Sequence, residues 1–377
     1  MHTADWANET VPAQIGLIRD LCAIPAFSGH EQARAEYISA WLRACGGEPF
    51  IDQAGNVCLP FDFDKDAPLY VYAAHMDTVF PMDTPFIFRE EADRLCAPGV
   101  GDDTANVAAL MLFAKRLIET KARTSHPVLF VFNTGEEGLG NLRGSREIAR
   151  RYAARMAQFI TFDGTYQRVV DRAVGSRRFE VTVRTEGGHS YGAFGNANAI
   201  HQAAELIHSL YLMRVPRKEN TRTTYNVGTI QGGTSVNTIA QDARFTYEYR
   251  SDDKECLDGM ASAFDGVLSG FRAMGWQIGT RLLGERPCMG NVDAEKQERL
   301  LSQCQDDIEH VCGVRPSRGP SSTDANIPLS LGIPATSFGL YIGAQSHTRE
   351  EWLQTSTLCT GLQIGMRVLS HVFREGE

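Results

Sequence analysis

Apolar and β-branched runs alternate with helical patterns through the first half of the chain. An amphipathic helix is predicted from the capping-box pattern Ser28-Gly29-His30-Glu31 through Trp41 and Leu42 to a Gly46-Gly47 stop. A strand follows at Leu69 to Ala74, ending at His75-Met76-Asp77. Val107, Leu110, Met111, Ala114 and Leu117 have helical spacing after Asp102-Asp103. Val128 to Phe132 reads as a buried strand, Leu142 to Met156 as a helix, and Phe159 to Phe162 as a short strand closing on Asp163. Such alternation predicts an α/β fold, a mostly parallel sheet with flanking helices. Ligands of these sheets collect beyond the carboxyl ends of the strands, where His75, Glu136, Glu137 and Asp163 fall.

The pattern changes near Arg177. Phe179 to Arg184, Thr224 to Ile230 and Ala243 to Tyr249 alternate like half-exposed strands, Ala199 to Met213 and Glu255 to Met274 are helical, and Trp276 to Leu282 closes as a strand. That order is the one of a small α+β unit with an antiparallel sheet. The α/β rhythm returns after Arg286, with a strand at Ile333 to Phe338 before Ser346-His347-Thr348. The expected organisation is a discontinuous first domain, 1–174 with 286–377, interrupted by an insertion at 175–285.

With 377 residues, 43% of them hydrophobic, the chain can bury a substantial core. A net charge of −9 without a Lys/Arg cluster argues against nucleic acid or an anionic membrane surface as partner. Met1 to Trp6 lack the organisation of a secretory signal and no run approaches transmembrane length, so a cytoplasmic location is expected. Nine scattered cysteines without a Cys-x-x-Cys suggest reduced thiols, not a disulfide framework or zinc ribbon.

Each candidate residue has an ordinary reading when taken alone. Glu136-Glu137 can be a solvated acidic pair, His75-x-Asp77 a loop triplet, Asp103 or Thr104 a helix cap, Asp163 a turn residue and His347 a surface histidine. Together, His75, Asp102, Glu137, Asp163 and His347 form a nitrogen and oxygen set sufficient for two divalent ions bridged by one carboxylate. Zinc suits it, and cobalt or manganese can use the same donors. Glu136 is left outside the set and next to a member of it, where a carboxylate can move a proton.

His75-Met76-Asp77-Thr78-Val79, Gly99-Val100-Gly101-Asp102-Asp103, Thr134-Gly135-Glu136-Glu137-Gly138, Phe162-Asp163 and Ser346-His347-Thr348 resemble the motifs of the co-catalytic zinc exopeptidases, the family of peptidase T, carboxypeptidase G, aminoacylase and acetylornithine deacetylase. The resemblance spans nearly the whole chain in family order. It implies a ferredoxin-like lid at the insertion that commonly mediates dimerisation, hence a homodimer. It further implies Asp102 as the bridge, His75 and Asp163 on one ion, Glu137 and His347 on the other, Asp77 orienting His75, Glu136 as general base, and a cis peptide at Asp102-Asp103. Gly187-Gly188-His189-Ser190 resembles the segment whose histidine steadies the oxyanion, often in the partner subunit. Asn237 and Arg250 resemble lid positions that bind a substrate carboxylate.

Two departures bear on substrate. Thr104-Ala105 stands where many relatives have Lys-Gly, which touches local substrate contacts and not the metal chemistry. Asp163 occupies a position where aminopeptidase-like members tend to carry Asp, and carboxypeptidases and deacetylases Glu. The expected activity is therefore metal-dependent hydrolysis of short peptides by a di- or tripeptide aminopeptidase similar to peptidase T. The alternatives are an N-acyl-amino-acid amidohydrolase and, from another class, an inactive metal-dependent peptide-binding protein, against which the intact Glu136 argues. No Gly-x-Ser-x-Gly elbow or nucleotide-binding glycine pattern competes.

Overall fold

The structure is a computed structural model, which describes residues 3–374. The chain divides into two compact units, Met1–Ala173 with Gly290–Glu377, and Val174–Met289. The insertion thus begins one residue before the expected boundary and runs four residues further, past the end of its last strand at Arg286.

The first unit is built on a six-stranded sheet in the order Phe50–Ile51, Val57–Phe61, Val128–Asn133, Leu69–His75, Met156–Phe162, Ala335–Phe338. Its last four strands are parallel, and the edge hairpin joins them antiparallel. Val128–Asn133 is buried at every position, which explains why it reads as a continuous apolar run instead of an alternating one. Helix Thr104–Glu119 is buried around most of its circumference and shares the core with helices Thr3–Cys22 and Leu358–Leu369. Leu69–His75 lies between two strands that follow it in the chain, one on either side, so the connections diverge at its carboxyl end.

The expected capping box at Ser28 does not form. Helix Gln32–Ala44 starts without a side-chain cap, because Ser28 and Glu31 are committed to other partners described below. The helix predicted from Leu142 to Met156 is shorter, Arg143–Tyr152 followed by a 3-10 turn, and Met156 opens the next strand.

The second unit has strands Gly175–Arg184, Thr223–Gly232, Asp242–Ser251 and Gln277–Arg286, with helices Ala199–Tyr211 and Lys254–Ala273. The antiparallel sheet runs Thr223–Gly232, Asp242–Ser251, Gly175–Arg184, Gln277–Arg286, the strand order 2-3-1-4 of a ferredoxin-like unit. Odd positions of the central strands, among them Val181, Val183, Phe245 and Tyr247, join Leu206, Met260 and Phe264 in the core. Asn198 and Asp253 cap the helices by accepting backbone N–H bonds.

Candidate metal centre

Three adjacent parallel strands deliver the candidate residues to one rim. His75 ends its strand, the Thr134 to Gly138 turn follows Asn133, and Asp163 follows Phe162. The Asp163 N–H donates to the Phe338 carbonyl at 3.1 Å, which ties it to the fourth parallel strand. Asp102 arrives from the glycine-rich turn before helix Thr104–Glu119, and the Asp102-Asp103 peptide is cis. His347 comes from a loop late in the chain, with φ +66.

Asp102 faces an imidazole with each of its oxygens, Oδ1 to His75 Nε2 at 3.2 Å and Oδ2 to His347 Nε2 at 3.2 Å. His347 Nε2 also lies 3.0 Å from Glu137 Oε1. Donor atoms within 4.8 Å of one another form the groups His75-Asp102-Asp103-Asp163 and Asp102-Glu137-His347, with Asp102 common to both, and a third group of His75, Glu136 and Glu137. Two nitrogens and several carboxylates sharing one central carboxylate are the donor chemistry of a two-ion site for zinc or a similar divalent ion.

Charge supports the same reading. Burial pushes Asp163 well above the usual carboxylate range, and Asp102, Glu136 and Glu137 add to the rise. Burial likewise raises Glu137 to about 7, with Asp102 and Glu136 contributing. His75 is raised although burial opposes it, because Asp103, Asp102 and Asp77 surround it, and hydrogen bonds donated to Asp102 and Glu137 lift His347 to about 10. The raised acids of this rim, Asp163, Asp103 and Glu137, bind protons that bound cations would replace, whereas hydrogen bonds with His347 and His75 overcome burial and hold Asp102 low.

Asp77 is fully buried and does more than face His75. His75 Nδ1 lies 3.1 Å from the Asp77 carbonyl and 3.6 Å from its Oδ1. That contact directs Nε2 toward Asp102. The Asp77 carboxylate also accepts the N–H groups of Glu136 at 2.9 Å and Glu137 at 2.8 Å, and the Ser28 hydroxyl at 2.6 Å. Burial alone would raise its pKa, and these bonds with His75 turn the shift downward.

Several site residues escaped the sequence reading. Asp103 accepts the His75 N–H at 3.0 Å and Asn106 Nδ2 at 2.6 Å, so its side chain holds the centre in place and does not cap the helix. Glu31 accepts the Gly135 N–H at 3.0 Å and pairs with Arg143 at 3.0 Å. Glu351 accepts N–H bonds from Gly99 and Gly101 at 2.9 Å and from Asp102 at 2.7 Å. No local sequence signal singles out Glu351, because Glu350-Glu351 is one of several adjacent acidic pairs, among them Glu90-Glu91, Asp252-Asp253 and Asp306-Asp307.

The remaining candidates belong to the second unit. His189 sits on the short strand Gly188–His189 paired with Thr238–Ile239, and Asn237 lies beside it, its carbonyl accepting the Ser190 N–H at 3.0 Å. His189 Nδ1 faces the N–H groups of Tyr191 and Gly192 at 3.3 Å each, which assigns the proton of the neutral ring to Nε2. Arg250, on a separate strand, is engaged by Glu248 through two bonds of 3.1 Å.

Residues 71–371 match the model of peptidase family M20/M25/M40. The chain belongs to this family. Across 265 residues this M20 chain is 27% identical to the acetylornithine deacetylase of Myxococcus xanthus, covering 64% of this chain and 68% of that protein. Across 313 residues it is 23% identical to the succinyl-diaminopimelate desuccinylase of Pseudomonas syringae pv. syringae, covering 78% and 79%. Its fold is shared with the crystal structure of aminopeptidase PepT from Bacillus cereus, with a TM-score of 0.74 and 20% identity over 95% of this chain and 97% of that one. The M20 chain is a hydrolase of peptide or amide bonds with a His and carboxylate cluster able to hold two metal ions. No described helix is long and apolar enough to cross a membrane.

Proposed function

We propose that the protein is a di- or tripeptide aminopeptidase that uses two metal ions, zinc by its donor set, with Glu136 as general base. The observation that carries the reading is Asp102, whose two oxygens each face a different imidazole while Glu136 stays outside the Asp102-Glu137-His347 group. His75 and Asp163 would hold one ion and Glu137 and His347 the other, with Asp102 shared between the two groups. When bound, such a pair supplies Lewis acidity to a carbonyl and lowers the pKa of water.

The chain's own residues do the rest. Glu136 takes a proton from the attacking water as its oxygen bonds the carbonyl carbon, and delivers it to the leaving nitrogen as the C–N bond breaks. Its backbone N–H is held by Asp77, which anchors the residue that presents the carboxylate. The His189 Nε2–H donates to the developing oxyanion, in a site of its own chain or of a second copy joined through the inserted unit. Arg250 and Asn237 stand near opposite ends of strand Asp242–Ser251, so the terminal carboxylate of the peptide is received by the Arg250 guanidinium fork of one chain and the Asn237 amide of a second copy.

Asp163 favours the aminopeptidase reading. The similarity to acetylornithine deacetylase and succinyl-diaminopimelate desuccinylase favours a second one, hydrolysis of N-acyl amino acids by the same machinery. Turnover on matched panels of free-amine di- and tripeptides and N-acyl amino acids, with zinc, cobalt or manganese, separates them. The aminopeptidase reading expects cleavage of the free-amine peptides at least tenfold faster, and fails if the acylated series is preferred. A metal-loaded protein inactive on both panels would instead be a binding protein.

A further inference from the structure

Asp324 is a fully buried carboxylate outside the proposed metal ligands. Its Oδ2 accepts a hydrogen bond from Asn133 Nδ2 and its Oδ1 accepts one from the Ser145 hydroxyl. These partners stand on either side of the segment that carries Glu136 and Glu137. Asn133 is the last residue of its strand and lies opposite His75 in the sheet register, and its carbonyl accepts the Met76 N–H at 2.7 Å. Ser145 lies in the first turn of helix Arg143–Tyr152, which follows the segment. Other braces close the same turn further in: Asn56 accepts the Thr134 N–H and donates to the Gly144 carbonyl, Glu31 holds Gly135 and Arg143, the Gly144 N–H donates to the Thr134 carbonyl at 2.8 Å, and Asp77 holds Glu136 and Glu137, none of them reaching out to Asn133 and Ser145. Asp324 spans both ends.

Asp324 is also close enough to Glu136 for their charges to interact. Burial first, and the negative charge of Glu136 next, push the Asp324 carboxyl up to about 7. A buried acid beside another acid is retained at a cost, and the two bonds to the ends of the Glu136 segment are the return for it.

We propose that Asp324 is a positioning residue for Glu136, acting by tying together the two ends of the loop that carries it. The inference rests on Glu136 being the general base. The hydrogen-bond pattern gives it a discriminating variant. In Asp324→Asn the amide oxygen still accepts from Asn133, and the amide N–H₂ donates to the Ser145 oxygen, which can accept as well as donate. The tie survives without the charge. In Asp324→Ala both bonds are lost.

The test measures kcat, KM, metal content and thermal midpoint of the full chain for Asp324→Ala, Asp324→Asn and Ser145→Ala, and repeats Asp324→Ala in a Glu136→Gln background. Misplacing a reacting group by about 1 Å costs on the order of 100-fold. Asp324→Ala is therefore expected to lower kcat by about 10- to 100-fold, with KM within about twofold and metal content unchanged. Asp324→Asn should recover to within about threefold of wild type, and Ser145→Ala, which keeps one end tied, should lose about three- to tenfold. In the Glu136→Gln background Asp324→Ala should add nothing further, because the group it positions is gone.

Equal losses in Asp324→Ala and Asp324→Asn overturn the tie in favour of a charge effect. Loss of metal from Asp324→Ala shows that it supports the ligand set, and an undiminished penalty in the Glu136→Gln background shows that it acts elsewhere. Either overturns the proposal. If Asp324→Ala does not fold, Ser145→Ala with wild-type kcat overturns it. Near-normal turnover of Glu136→Gln alone refutes the base assignment instead, whatever the Asp324 variants do.

Discussion

Replacing Glu351 should loosen the turn that presents Asp102, the proposed bridge between two metal ions. Its buried carboxylate accepts three backbone N–H groups, Oε2 from Gly99 and Oε1 from Gly101 and Asp102. In Glu351→Gln one oxygen can still serve Gly101 and Asp102, but the amide N–H₂ then meets the Gly99 N–H, donor against donor. Leaving one buried donor unsatisfied costs about 1–3 kcal/mol. In Glu351→Ala all three donors lose their acceptor, and the expected loss is about 3–5 kcal/mol, short of three full penalties because water can enter the space. The same change frees the turn that presents Asp102, so metal affinity should fall about 10- to 100-fold, as for other groups that support ligands from outside. Urea unfolding of metal-stripped protein reads the first effect and calorimetric zinc titration the second. Glu351→Ala with the midpoint and zinc affinity of wild type would refute the reasoning.

Metal-stripped protein should lose stability as pH rises from 5 to 8. Burial raises Glu351 to about 8, Asp324 to about 7 and Glu137 to about 7. Each therefore binds its proton more tightly folded than unfolded, contributes stability below about pH 4, and loses it as pH climbs through its folded value. His347, raised to about 10, keeps its contribution below about pH 6.5 and loses it toward 10, in the same direction. Asp102, held below the usual carboxylate range, titrates beneath this window. Thermal midpoints across pH, without and with zinc, check this: a stripped protein as stable at pH 8 as at pH 5 contradicts it. His347→Ala should lower the affinity for one of two bound ions by more than the roughly 10- to 100-fold that losing an outer supporting group costs, while the other stays, read by metal stoichiometry after dialysis; undiminished two-ion binding would remove His347 from the ligand set.

The legible part of the fold was the part with strong periodicity. Leu69–His75 and Val128–Asn133 are buried runs ended by polar punctuation, and the alternating strands of the insertion show one face to its helices and one away from them. His75, Glu137 and Asp163 were legible because they end or follow strands of the sheet, whereas Asp102 and His347 come from a glycine-rich turn and a loop and were read from the motifs around them. What the sequence concealed was the layer of acids that hold backbone instead of metal. Ser28 and Glu31 have the spacing of a capping box, yet Ser28 bonds Asp77 across a separation of 49 residues and Glu31 reaches Gly135 across 104. Glu351 and Asp324 act on turns that are distant in the chain, and no local pattern marks a carboxylate that accepts such bonds.

In the proposed function Glu136 moves the proton while its neighbour Glu137 holds metal. Glu136→Gln keeps the shape of the side chain and removes its capacity to accept that proton. The decisive measurement is kcat of Glu136→Gln on the best substrate of the panel, with metal content determined on the same sample. Both ions should be retained and kcat lowered by about 100- to 10,000-fold, the usual contribution of a general base. Turnover within a few-fold of wild type at full metal content would contradict that role for Glu136.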